Sequence, residues 1–163
     1  MIEEKVIFKG KNSILHLVRD KNGKYVVRKQ INGCKECPIS VIEASWENYQ
    51  KVKDIPGVVK WFSFFSSANS AVAYLEYIEN TESIYQSKRS KPELMTGVME
   101  IIAKMCDRGY MNLDFDLLNF VVDRSGKVWM LDLDQIVKFE LANESRRYWF
   151  AVRMEKLLKW YAK

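Results

Sequence analysis

Asn112-Leu113-Asp114-Phe115-Asp116-Leu117-Leu118-Asn119-Phe120 is followed by Val128-Trp129-Met130-Leu131-Asp132-Leu133-Asp134. Together they place two acids and an amide on a loop, a short hairpin and a strand end, which is the spacing that phosphoryl transfer needs. A carboxylate at Asp114 can meet an incoming hydroxyl. Asn119 and Asp132 supply hard oxygen ligands of the kind that hold magnesium against the phosphates of a nucleotide.

Upstream of this stretch the chain reads as strands. Val6-Ile7-Phe8 and Ile14-Leu15-His16-Leu17-Val18 flank a Gly10-Lys11-Asn12-Ser13 turn, and Asp20-Lys21-Asn22-Gly23-Lys24 leads into Tyr25-Val26-Val27-Arg28-Lys29. Ser40-Val41-Ile42-Glu43 has the form of a capping box, with the Ser40 hydroxyl accepting from the Glu43 amide and the Glu43 carboxylate from the Ser40 amide. A helix is therefore predicted from there to about Lys53, burying Ile42, Trp46, Tyr49 and Val52, with Asp54-Ile55-Pro56-Gly57 as its stop. Residues 58–65 and 70–78 read as two more strands, which makes five antiparallel strands with one helix inserted after the third.

Polarity rises from Glu79 to Lys91, the expected boundary between a first lobe, residues 1–78, and a second, residues 79–163. Pro92 opens a helix that carries Leu94, Val98, Ile101 and Met105 on one side and ends at Gly109. A hairpin turning at Asp123-Arg124-Ser125-Gly126 and a long helix from near Asn143 complete an α+β chain.

Composition narrows the class. In 163 residues, 48% are hydrophobic and 13% aromatic, enough for a good core and too apolar for disorder. No apolar run is long enough to cross a bilayer, and Met1-Ile2-Glu3-Glu4-Lys5 lacks the apolar core of a secretion signal, so the expected location is cytoplasmic. Three cysteines suit a reducing compartment, and the Cys34-Lys35-Glu36-Cys37 pair lacks the further ligands a zinc site wants, beyond Cys106 and the one histidine, His16. The net charge of +5 fits an anionic ligand. The basic, aromatic segment from Arg146 to Trp160 reads as an amphipathic helix packed on a core, and no nucleic acid is expected.

The order of elements and these marks together resemble the protein-kinase-like superfamily over nearly the whole chain. The resemblance implies a bilobal fold, a five-stranded antiparallel N-lobe with one inserted helix and a reduced, mostly helical C-lobe, with ATP and Mg2+ as cofactors. It makes Lys29 the lysine of the third strand that contacts the nucleotide phosphates and is held by a glutamate of the next helix. Glu43 and Glu47 lie one turn apart; with Glu43 assigned to the cap, Glu47 is the expected partner. Gly10 and Ser13 fall in the phosphate-covering loop. Leu75-Glu76-Tyr77-Ile78 resembles the connecting segment, where the Glu76 carbonyl and Ile78 amide would recognise adenine. Asp114 matches the catalytic aspartate, and Asn119 and Asp132 match the metal ligands, with Asp116 and Asp134 as the close competitors.

Several departures refine the match. The phosphate loop has one glycine, Gly10; Asn112 and Leu113 stand where histidine and arginine usually do; and no long activation segment follows Asp134. The compact form is similar to lipopolysaccharide-core kinases, including those that act on the acidic sugar Kdo. Leu131-Asp132-Leu133-Asp134-Gln135, Asn119-Phe120 and the terminal Arg153-Met154-Glu155-Lys156-Leu157-Leu158-Lys159 carry that likeness. It implies a glycolipid acceptor at the inner face of a membrane, with the C-terminal helix or Lys88, Arg89 and Lys91 helping to hold it. A minimal protein kinase and a pseudokinase or nucleotide-sensing module are the alternatives.

Overall fold

The computed structural model describes residues 4–35 and 37–162. Glu36 of the cysteine pair's spacer and Met1 to Glu3 of the N-terminal segment lie outside the described residues. The chain is α+β; the described residues form a five-stranded antiparallel sheet, smaller sheets of two and three strands, and three α-helices. It divides into two compact units: residues 1–43 with 59–78, and residues 44–58 with 79–163.

The first unit is the sheet, formed by β1 (Glu4–Lys9), β2 (Ser13–Arg19), β3 (Tyr25–Asn32), β4 (Trp61–Ser66) and β5 (Ser70–Glu76) in the order β1-β2-β3-β5-β4. β3 runs three residues past Lys29, where the sequence reading ends it, because Gln30, Ile31 and Asn32 continue the ladder against Val72, Ala71 and Ser70 of β5. Ile31 packs with Ala71 and with Ile39 and Ile42 of helix α1 (Ile39–Tyr49), so the first turns of α1 cover this face. The outer strands are less protected: Val6, Ile7 and Phe8 on β1 and Phe62 and Phe65 on β4 are exposed.

Helix α1 departs from its predicted form at both ends. It begins at Ile39, directly after Pro38, whose fixed φ is already compatible with a helix start. Ser40 therefore lies inside the first turn rather than at the cap, and the Glu43 carboxylate accepts instead from the Ser66 hydroxyl, 2.6 Å away. Beyond Tyr49 the chain tightens into successive three-residue turns, Gln50 to Glu47, Lys51 to Asn48 and Val52 to Tyr49, so the helix stops four residues early. Ser45 takes the buried position expected of Trp46, which is half-buried.

In the second unit, α2 (Lys91–Asp107) is capped by Ser90, which accepts from the Glu93 amide, with Pro92 in the first turn. It buries Leu94, Met95, Val98, Ile101, Ile102 and Met105, each contributing roughly 1.5–3 kcal/mol of transfer free energy before ordering costs. Gly109, with φ +79°, closes the helix by donating to the Cys106 carbonyl. The chain then enters β7 (Tyr110–Asn112), which pairs with β10 (Ile136–Lys138). β6 (Glu82–Ser83), inside the polar stretch read as a plain linker, pairs with β8 (Phe120–Val122), which in turn pairs with β9 (Val128–Met130).

Gly57 does more than stop a helix. Its carbonyl accepts from the Met130 amide at 2.7 Å, and Val58 bridges to Met130 in parallel. At φ +90° a Cβ there would stand 2.7 Å from the Val128 carbonyl oxygen, so only glycine allows this approach.

The β8–β9 turn is organised by Asp123. Its Oδ1 accepts from the Ser125 hydroxyl at 2.6 Å and from the Ser125 and Lys127 amides, and its Oδ2 from the Trp129 indole at 2.8 Å. Burial alone would raise this carboxyl's pKa; the Ser125 and Trp129 hydrogen bonds and those two amides outweigh it and hold it below the ordinary value of 3.8. A depressed carboxyl stabilises the fold fully above its unfolded pKa, and that stabilisation is lost as pH falls through the folded one. Thermal unfolding of an Asp123→Asn variant should thus depend less steeply on pH below about pH 4 than the parent chain. Parallel melting curves for the two would remove Asp123 as a source of acid sensitivity.

Candidate functional site

Among the described residues three polar or charged side chains are buried: Lys29, Ser45 and Asn112. Burying such groups costs stability unless each is satisfied, so they mark places where polar chemistry is built into the core. Two of the three lie in the second unit and hold one segment, residues 132–136.

Asn112, 3% exposed, ends β7 rather than lying on a loop. Its amide nitrogen donates to the Asp132 carbonyl at 2.6 Å, and its Oδ1 accepts from the Asp114 amide at 3.1 Å. One side chain thereby fixes the backbone at both acids. Ser45 donates to the Asp134 carbonyl at 2.7 Å, and Asn48 to the Ile136 carbonyl at 2.8 Å, so α1 grips the same segment from its other end. The Leu113 amide donates to Gln135, which continues the β7–β10 pairing through the site.

From this frame the site residues take distinct roles. Asn119 closes the single 3-10 turn Leu117–Asn119 and donates through Nδ2 to the Asp114 carbonyl at 2.8 Å. Its own carbonyl accepts from Leu131 at 2.9 Å. The Nδ2 donation fixes the orientation of the Asn119 side-chain amide. Asp132, two residues beyond β9 rather than at its end, accepts through Oδ1 from the Asp134 amide at 3.3 Å.

Asp116 is distinguished from Asp114 by how its oxygens are used. Oδ1 accepts from the Leu118 amide at the start of the 3-10 turn, and Oδ2 pairs with Arg153 of helix α3 (Glu144–Tyr161). Arg153 also stands 3.7 Å from the Asp114 carboxylate. Sequence reasoning missed Asn112 and Arg153 as members of the site. Asn112 looked like the loss of a histidine, and Arg153, noted only as part of the terminal helix, is brought to Asp116 by packing across 37 residues.

The remaining predicted residues are distributed over both units. Glu47 is an exposed residue of α1 in the second unit. Lys29, Gly10, Ser13, Glu76 and Ile78 belong to the first unit. Lys29 is 7% exposed, between Leu15 of β2 and Ala73 of β5, on the sheet face shared with Ile31. The Gly10 amide donates to the Ser13 carbonyl at 2.8 Å, which closes the β1–β2 connection as a tight turn. Glu76 ends β5, with its amide bonded to the Lys60 carbonyl and its Oε2 buried without a hydrogen-bond partner among the described residues. Ile78 follows that strand.

An amide oxygen and a carboxylate are hard donors that fit magnesium, an ion that takes only one or two protein ligands when phosphates and water supply the rest. No group of three or more His, Cys, Asp or Glu side chains that could hold a metal ion is present among the described residues. None of the described helices is long and apolar enough to cross a membrane. No protein-family model matches the chain, and no curated protein matches it.

Proposed function

We propose that this chain is an ATP-dependent phosphotransferase of bilobal, protein-kinase-like form that acts on a sugar hydroxyl of a lipopolysaccharide-core or similar glycolipid acceptor. The observation that carries the reading is the buried Asn112, which joins the backbone of Asp114 to that of Asp132 by two hydrogen bonds. A buried amide held at both ends costs conformational entropy and tolerates few substitutes, and it has an evident use where two acids must keep a fixed relation.

In this reading Asp114 orients the acceptor hydroxyl and takes its proton late, because a carboxylate is too weak a base to remove it beforehand. The acceptor oxygen forms a bond to the γ-phosphorus, the bond to the ADP oxygen breaks, and the proton passes from the hydroxyl to Asp114 and then to water. Asn119 and Asp132 are the residues that would hold magnesium, which would supply positive charge to the phosphate oxygens. Lys29 adds a cation towards the phosphates, with Glu47 as the acid assigned to steady it. Gly10, Ser13, Glu76 and Ile78 are assigned to the nucleotide. Asp134, whose backbone carbonyl is held by Ser45, supports Asp132 through its amide.

Nucleotide titration with and without magnesium, coupled to measurement of ADP formed with a lipid-linked core oligosaccharide, tests the proposal. Magnesium-dependent ATP binding with acceptor-dependent ADP release is expected. Binding with no ADP formed would replace the enzyme by a nucleotide-binding module, and transfer to protein but not glycolipid would make it a protein kinase.

A further inference from the structure

Beside the Asp114 loop lies a cavity of about 190 Å3 whose apolar walls are Phe115, Leu117 and Leu157, all at most 5% exposed. Tyr85, Asp116, Arg153 and Lys156 complete its lining. We propose that this cavity is the acceptor subsite, that it admits one sugar ring, and that Lys156 recognises a carboxylate or phosphate carried by that ring. The proposal rests on the phosphotransferase reading for the ring's role as acceptor, but not for its binding.

Size comes first. The volume is below the roughly 300–1,000 Å3 of sites for drug-sized ligands, so it suits a single ring and not a nucleotide. Its chemistry is divided in the way a pyranose is divided, with a face of C–H groups and a rim of hydroxyls. Phe115, Leu117 and Leu157 offer the first an apolar surface, and the carboxylate, guanidinium, ammonium and phenol offer donors and acceptors to the second. Tyr85 is steadied edge-on by the Trp160 ring, with centroids 6.0 Å apart. Burial and then the Asp116 charge push its phenol pKa upward, so it keeps its proton and remains a donor at neutral pH.

Charge accounting singles out Lys156. Arg153 is matched by Asp116 and Asp114, and Lys159 is paired with Glu155. Lys156 is an exposed residue of the same lining that takes no part in these pairs, so its ammonium can meet an anion brought by the ligand. Position completes the argument. Arg153 touches both acids, so the cavity and the Asp114 carboxylate share a wall, and a ring seated there presents its rim towards the group that orients the hydroxyl.

The test uses the full chain and three probes, glucuronic acid, glucose 6-phosphate and glucose, followed by NMR at the Trp160 indole and the Leu157 methyls. The acid sugars are expected to shift both signals and to bind at least tenfold more tightly than glucose, with the two arms telling a carboxylate from a phosphate preference. Lys156→Met should reduce them to the affinity of glucose, and Tyr85→Ala should weaken all three. Magnesium-ATP affinity should not change in either variant, and their melting temperatures show that the fold is kept. No response to any sugar, or unchanged acid-sugar affinity in Lys156→Met, overturns the subsite. Saturable acid-sugar binding by a chain that forms no ADP would leave the subsite standing and defeat the phosphotransferase reading instead.

Discussion

If the chain is the proposed phosphotransferase, replacing Asp114 with alanine is expected to lower ADP formation by about 10²–10⁴-fold, the usual contribution of a positioned general base, and to leave magnesium-ATP affinity within about twofold. The separation of the two effects follows from the geometry. The Asp114 backbone is held by Asn112 and Asn119 through its amide and carbonyl, so removing its carboxylate leaves those bonds and the Asn119 orientation in place. Asp114→Asn should behave similarly, because an amide keeps the shape and loses the basic oxygen. The comparison with Asp116→Asn is informative, since that carboxylate caps the 3-10 turn and pairs with Arg153. It should cost stability more than turnover. Near-normal ADP formation by Asp114→Ala, measured with the same acceptor, would remove it from the chemistry.

Asn112→Leu acts on the fold and the site together. A leucine has the same branched outline with bulkier methyl groups, and at a 3% exposed position it strands the Asp132 carbonyl and the Asp114 amide in the interior. Each lost partner costs about 1–3 kcal/mol, and in a chain of this size each kcal/mol lowers the melting temperature by roughly 2–4 °C. A fall of about 5–15 °C is expected, accompanied by loss of magnesium-dependent nucleotide binding as the Asp132 backbone loosens. Asn112→Asp separates the two bonds, since it retains an acceptor for the Asp114 amide and forfeits the donor to Asp132. An unchanged melting temperature in Asn112→Leu would mean that the segment is held without this side chain.

Local patterns in the chain carried much of the architecture. The five strands are legible from their residue patterns and turns, and the Ser90–Pro92 entry to α2 with its Leu94, Val98, Ile101 and Met105 stripe, the Gly109 stop, the Asp123–Gly126 hairpin and the Asn143 cap are set by interactions spanning a few residues. Such signals are readable because propensity, periodicity and turn chemistry act over the same short range. What failed was decided at long range. The capping box at Ser40 and Glu43 is a valid local solution, yet Pro38 starts the helix earlier and Ser66, 23 residues away, competes for the carboxylate. Ser45 displaced Trp46 from the buried stripe because the carbonyls of Asp134 and Ile136 needed donors there. A hydroxyl at that position looks like noise until its partner, 89 residues on, is known.

The site divides along the same line. Asp114, Asn119 and Asp132 stand out through spacing alone, whereas the residues that hold them are marked only by burial and by contact. Asn112 is the sharpest case. Read as a missing histidine it suggested a weakened loop, but in the fold its amide donates to the Asp132 carbonyl and accepts from the Asp114 N–H, joining the two segments through one planar group.

The outer strands of the large sheet carry a liability of their own. β1 presents Val6, Ile7 and Phe8 to solvent beside an unpaired row of backbone groups, and β4 does the same with Phe62 and Phe65. Lys5 and Lys9 at the ends of β1 act as electrostatic gatekeepers against stacking of one sheet onto the next. Their repulsion is screened by salt, so light scattering from concentrated solutions is expected to rise with ionic strength if these edges pair.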